Sequence, residues 1–123
     1  MMYRYKGDAM KALRCNGEIE QAQADLDAKF FRGLGDSTRL RILDYLLEGE
    51  KNVGEIVSFL GAPQSTVSMH LTCLRWCGYV TTRKEARHVH YQVTDPRVRE
   101  IIRLARAIIA DNAQAILSCQ VIK

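Results

Sequence analysis

A chain of 123 residues is most simply one domain, and a chain this short buries only about two-thirds of its unfolded surface, so pairing with a second copy would add useful burial. Hydrophobic residues at 47% and charged residues at 26% exclude wholesale disorder, and no run approaches the ~18 apolar residues of a membrane span. The formal charge of +4, from 18 Lys+Arg against 14 Asp+Glu, suits a polyanion such as DNA, although mild basicity is common and decides little by itself.

The opening MMYRYKGDAMKALRC has basic residues but no apolar secretory core, so a cytoplasmic protein is expected. Cys15, Cys73, Cys77 and Cys119 are then expected as thiols or thiolates and not as structural disulfides. Residues 1–17 have no clean period and are expected to form a mobile N-terminal arm. From 18 to 34, Ile19, Ala22, Leu26, Phe30 and Leu34 recur at helical spacing, and Gly35 ends the segment. Asp36 is a good N-cap for a second helix whose buried face is Leu40, Leu43, Leu46 and Leu47. Asn52, with Glu55 three residues later, has capping-box spacing and opens a short third helix that ends at Gly61. Ala62-Pro63 leads straight into a fourth helix, Pro63 to Gly78, and two helices joined so tightly make a helix-turn-helix.

After Gly78 the period changes to two. Tyr79–Arg83 and His88–Val93 are rich in β-branched and aromatic residues and read as a hairpin with Lys84-Glu85-Ala86-Arg87 at its tip. Asp95-Pro96 signals a last helix, with Asp95 as N-cap. It runs to about Ser118 with one long stripe of Val98, Ile101, Ile102, Ala105, Ile108, Ile109, Asn112 and Ile116. The expected fold is mainly α with a β-hairpin wing: a winged helix-turn-helix domain over 18–118 with extra N- and C-terminal helices, and a tail over 119–123. The short core cannot cover the whole apolar face of the terminal helix, so the first and last helices are expected to form a homodimer interface that presents two reading helices to a two-fold operator.

On a helical wheel Val67, Leu71 and Leu74 must face the core, with Ser65, Ser68, Met69 and Thr72 broadly opposite. Small hydroxyls near a helix N-terminus allow close entry into a major groove. Gln64, Ser65, Thr66, Ser68, Met69 and His70 are therefore candidate DNA contacts, and Arg83, Lys84 and Arg87 place charge on the wing. Any one Ser or Thr can equally be plain solvated surface, and His70 can equally be a buried, hydrogen-bonded histidine. His88 and His90 lie on one strand face without further ligands, so a structural role is expected.

Cys73 and Cys77 are neighbours at i, i+4, about 5–6 Å apart at Cβ, and can share one soft ion. Alternatively they are small buried hydrophobes, as free cysteines often are. Two sulfurs seldom complete a site. Cys119 sits on a polar tail end that can reach a neighbouring subunit, and Cys15 is an auxiliary candidate or a bystander. Thiolate-only sets select Cd(II), Pb(II), Hg(II), As(III) or Cu(I) over hard ions. Trp76, off the core stripe, reads as a lid over the pair or as a contact surface.

The run Asp36-Ser37-Thr38-Arg39-Leu40-Arg41-Ile42-Leu43, then Gln64-Ser65-Thr66-Val67-Ser68-Met69-His70-Leu71, Leu74-Arg75, Gly78-Tyr79-Val80, and the wing through Arg87, Val89 and Tyr91, resembles the ArsR/SmtB family of metal-responsive bacterial repressors over about residues 18–117. The resemblance implies a dimeric repressor that holds operator DNA when free of inducer and leaves it when the inducer binds. Pro63 departs from the Ser or Thr that usually caps this helix in the family. The family's third-helix cysteine pair has no counterpart in Asn52–Ile56, and its last-helix zinc site lacks histidine here. The remaining pattern resembles the family's cadmium/lead-sensing branch. Carried over, the ligands are Cys73 and Cys77 of one chain and Cys119 of the other, with Cd(II) or Pb(II) favoured and Hg(II) or As(III) as further inducers. The alternative is a thiol redox-sensing repressor of the same fold. No P-loop, dinucleotide fingerprint or nucleophile–base set points to an enzyme.

Overall fold

The computed structural model describes residues 17–122, and Cys15 and most of the expected arm lie outside the described residues. The chain runs α1 (Gly17–Leu34), α2 (Ser37–Leu47), β1 (Lys51–Asn52), α3 (Val53–Leu60), α4 (Gln64–Trp76), β2 (Thr81–Glu85), β3 (His88–Gln92) and α5 (Pro96–Ser118). Local chemistry sets these boundaries. Asp36 accepts from the Arg39 amide at 3.0 Å and starts α2. Asn52 and Glu55 form a reciprocal capping box at 2.9 Å each way, and α3 stops at Gly61, whose φ of 66° is left-handed. Asp95 accepts from the Arg97 amide at 2.9 Å and opens α5 ahead of Pro96. The Arg97 side chain and amide bonds hold the Asp95 carboxyl down at about 2.

The core is one cluster: Ile42, Leu43 and Leu46 of α2, Ile56 of α3, Val67, Leu71 and Leu74 of α4, Tyr79 and Val80 beyond it, and Val98 and Ile102 of α5. Fully burying each such aliphatic contributes about 1.5–3 kcal/mol, which makes this cluster the main force fixing α4 against α2 and α3.

Three details differ from the sequence expectation. Tyr79 and Val80 belong to the core and not to the first wing strand, which begins at Thr81. Lys51-Asn52 forms a short third strand, pairing antiparallel with Tyr91 and His90, so the sheet order is β1-β3-β2. Two residues are too few to show a period. The hairpin tip is the pair Ala86-Arg87, because Glu85 pairs with His88. Ala86 takes φ 54°, the left-handed conformation that a two-residue hairpin turn requires.

Much of the terminal helices' apolar surface lies outside this core. Every residue of α5 from Arg103 to Ser118 is exposed, including Leu104, Ile108, Ile109, Ile116 and Leu117, and in α1 Leu26 and Phe31 are exposed too. The stripe expected along α5 is therefore covered only at Val98 and Ile102, with Ile101 half-buried. Arg106 forks onto Asp44 at 2.6 and 2.7 Å, and Arg99 donates to the Leu47 carbonyl at 2.9 Å, which ties the first half of α5 to α2.

Candidate DNA-reading helix and thiol pair

Helix α4 presents two different faces. Val67, Leu71 and Leu74 are completely buried, while Gln64, Ser65, Ser68, Met69 and Thr72 are exposed and Thr66 is half-buried. Thr72 donates back to the Ser68 carbonyl at 2.9 Å, so its hydroxyl is already engaged along the helix. At its start Pro63 is extended and supplies no side-chain cap. The first amides of α4 are left without a side-chain partner at the positive end of the helix, an arrangement that suits an anion such as a phosphate.

His70 corrects the expectation that it lies among the DNA contacts. It is 8% exposed, and its Nδ1 lies 3.2 Å from Arg39 Nη1. A guanidinium only donates, so Nδ1 is the acceptor and the ring is turned inward, away from any base edge. The wing expectation also needs correction at Arg83. It lies within β2, where it forks onto Glu50 and reaches Glu85 at 3.5 Å; it is not a free charge at the tip. Its bond to Glu50 holds that carboxyl below the usual range. His90 faces the same two carboxylates at 3.8 and 3.9 Å. Lys84, beside the turn, and Arg87, within it, are exposed and remain the wing's outward charges.

Arg39 is the residue that sequence reasoning left without a role. It donates through Nε to the Gly33 carbonyl at 2.7 Å and through Nη2 to the Arg32 carbonyl at 2.8 Å, while Nη1 meets His70. One side chain thus ties the end of α1, the start of α2 and the middle of α4. The only signal was its place after the Asp36 cap.

Cys73 and Cys77 are both half-buried on the flank of the core stripe. Tyr79 fixes the end of α1 against this flank: its hydroxyl donates to the Phe30 carbonyl at 2.7 Å and its ring lies 4.7 Å from that of Phe30. Gly33 is buried at the contact. A Cβ there would sit 2.9 Å from the Tyr79 ring and 3.0 Å from Cys77 Sγ, so α1 can pack this closely only without a side chain. Burial pushes the Cys77 thiol up, and the neighbouring Cys73 pushes it further in the same direction. Cys119 caps the end of α5, fully exposed, and the amides of Ile122 and Val121 push its thiol down. Trp76 is 69% exposed. Among the described residues, no three His, Cys, Asp or Glu side chains gather closely enough to hold a metal ion. The structure brings Cys73 and Cys77 together and leaves Cys119 at the far end of α5.

A helix-turn-helix whose second helix exposes a polar face, followed by a hairpin wing with basic residues beside its tip, defines a winged helix-turn-helix DNA-binding protein. The model of the bacterial regulatory protein arsR family matches residues 36–82. The chain is 41% identical, over 93% of its own length and 91% of the relative's, to the "probable mercury resistance operon repressor" of Streptomyces lividans. It is 40% identical to the HTH-type transcriptional regulator CmtR of Mycobacterium tuberculosis over 69% of this chain and 75% of that one. Its fold matches the homodimeric winged helix-turn-helix DNA-binding domain of a possible ArsR-family transcriptional regulator from Mycobacterium bovis, with a TM-score of 0.69 and 29% identity over 79% of this chain and 89% of that one. The chain belongs to the arsR family of bacterial transcriptional regulators. Among the described residues, no helix is long and apolar enough to cross a membrane.

Proposed function

We propose that this protein is a homodimeric repressor that holds operator DNA when metal-free and releases it on binding a soft, thiophilic metal ion through Cys73 and Cys77 of one chain and Cys119 of the other. The observation that carries the reading is the half-buried Cys73–Cys77 pair on the flank of the DNA-reading helix, a two-sulfur set left incomplete among the described residues of one chain. The donors are soft and fit Hg(II), Cd(II), Pb(II) and As(III) better than hard ions. Likeness to a mercury-operon repressor along nearly the whole chain supports Hg(II) as the first ion to test, beside Cd(II) and Pb(II).

In the free dimer Gln64, Ser65, Thr66, Ser68 and Met69 enter successive major grooves, while Lys84 and Arg87 of each wing meet phosphate. Thiolates of Cys73 and Cys77 then close on the ion together with Cys119 of the second copy. This joins the last turn of α4 in one chain to the end of α5 in the other and restrains the reading helix against the dimer frame. The operator fits less well and is released. The second reading is a thiol redox sensor of the same fold: cysteines at i, i+4 stand about 5–6 Å apart at Cβ, whereas a disulfide needs roughly 3.5–4.5 Å, so oxidation would have to pair this helix with Cys119.

The test is metal-by-metal release from operator DNA under reducing, anaerobic conditions, with wild type and Cys119→Ser compared. The variant is expected to bind the operator as wild type does and to remain on it after metal is added. A Cys119→Ser repressor that still leaves DNA on adding Hg(II), Cd(II) or Pb(II) makes this ligand set wrong.

A further inference from the structure

Trp76 is the one tryptophan of the chain, and it ends α4 with most of its surface open. Its place around the helix singles it out. At about 100° per residue, Ser65, Met69, Thr72 and Trp76 fall within about 60° of one another, and all four are exposed. Val67, Leu71 and Leu74 lie on the opposite side, completely buried. Cys73 and Cys77 sit on a separate flank, about 60–100° round from Trp76. The stripe that carries the candidate base contacts therefore continues to the end of α4 and finishes in the indole ring.

The length of that stripe decides what its far end meets. Helix α4 rises about 16 Å between Ser65 and Trp76, whereas the major groove is about 12 Å wide. With the first turns of α4 among base edges, the last turn stands at the border of the groove, against sugar and phosphate. The residues there have the chemistry for it. An indole offers a flat apolar face to a deoxyribose ring and one N–H donor to a phosphate oxygen. Thr72 gives its hydroxyl proton to the Ser68 carbonyl, so beyond Ser68 the stripe's remaining side-chain donor is the indole N–H. Arg75, exposed beside Trp76, is the basic residue of the same turn.

We propose that Trp76 is a DNA contact: its ring packs on the sugar-phosphate wall of the major groove and its Nε1–H donates to a phosphate. This rests on α4 being the helix that reads DNA, and it extends that face by a further turn. Such a contact fixes how α4 sits in the groove and carries no sequence information. It differs from a lysine or arginine contact in one measurable way: the indole is neutral, so it displaces no counterion from the DNA.

The test uses the metal-free, reduced full-length protein, whose tryptophan emission comes from Trp76 alone. Acrylamide quenching is measured on the free protein and at saturation with operator duplex, with saturation followed by the anisotropy of labelled DNA. The quenching constant is expected to fall at least about twofold on saturation, because a ring that is 69% exposed becomes covered. Trp76→Ala spares the fold, since the ring packs on no core residue's position, and is expected to weaken binding of the operator and of a mixed-sequence duplex by the same factor, at least about fivefold. The slope of log affinity against log salt stays unchanged, and Trp76→Phe, which keeps a ring and loses the N–H, falls between. Equal quenching with and without bound operator overturns the proposal, as does wild-type affinity in Trp76→Ala. A ring already shielded in the free protein assigns it to contact between copies, and a loss confined to the operator duplex assigns it to a base; either result overturns the backbone contact. Failure of α4 as the reading helix shows separately, as full operator affinity in Gln64→Ala with Ser68→Ala.

Discussion

Arg39 shows how one side chain can hold a reading helix in place. Its three bonds reach the carbonyls of Arg32 and Gly33 and the ring of His70, and the His70 end is buried. Arg39→Ala leaves those acceptors without their donor and is expected to lower stability by about 2 kcal/mol in urea unfolding, because bonds to a charged donor contribute roughly 1.5–3 kcal/mol. A value within experimental error of wild type would remove Arg39 as a strut. The thiols set a pH dependence whose sign follows from their surroundings. Burial and Cys73 raise Cys77 above the ordinary thiol value, so Cys77 is protonated at neutral pH and a metal must displace that proton. Cys119 is shifted the other way and gives up its proton sooner. Metal affinity is therefore expected to rise with pH, by about tenfold per unit for each thiol still protonated, when Cd(II) is titrated against a competing chelator from pH 6 to 8. A flat profile would exclude Cys77 as a ligand.

At the scale of elements, the contact between α1 and the end of α4 is the tightest feature near the thiols. Gly33→Ala inserts a methyl at 2.9 Å from Tyr79 and 3.0 Å from Cys77 Sγ. It is expected to cost about 1–3 kcal/mol by overpacking and to alter the reactivity of Cys77 toward a thiol reagent. Unchanged stability and unchanged labelling would show that α1 shifts freely. The helices themselves were legible in the sequence because their signals are local: the Asp36, Asn52 and Asp95 caps, Gly61 as a stop, and Val67, Leu71 and Leu74 as one stripe all stand where spacing put them. What spacing did not show depends on partners distant in the chain. His70 points inward because Arg39, 31 residues away, receives it. Arg83 is held within the sheet because Glu50 lies beside it across the fold. The wheel placed Cys73 and Cys77 on the flank of the core stripe, but the glycine that backs Cys77 is brought there only by the packing of α1.

For the whole molecule, the decisive feature is apolar surface that one chain leaves open. Ile108 and Ile109 are 63% and 49% exposed on a helix whose last two-thirds is exposed throughout. Ile108→Asp with Ile109→Asp is expected to leave the winged domain folded by circular dichroism. It should yield monomers in sedimentation at concentrations where wild type is dimeric, and weaken operator binding by at least about tenfold, since each half-site is then bound alone. A dimer of undiminished affinity would place the interface elsewhere. The central claim is that one dimer couples thiolate ligation to DNA release. Linkage requires metal to weaken operator binding by the same factor by which operator weakens metal binding. The most direct measurement is therefore the operator dissociation constant, by fluorescence anisotropy, with and without one metal equivalent per chain, for wild type and for Cys73→Ser with Cys77→Ser. The account predicts at least about tenfold weaker binding for metal-loaded wild type and no change for the double variant. Equal release from both proteins, or none from wild type with Hg(II), Cd(II) or Pb(II), would contradict it.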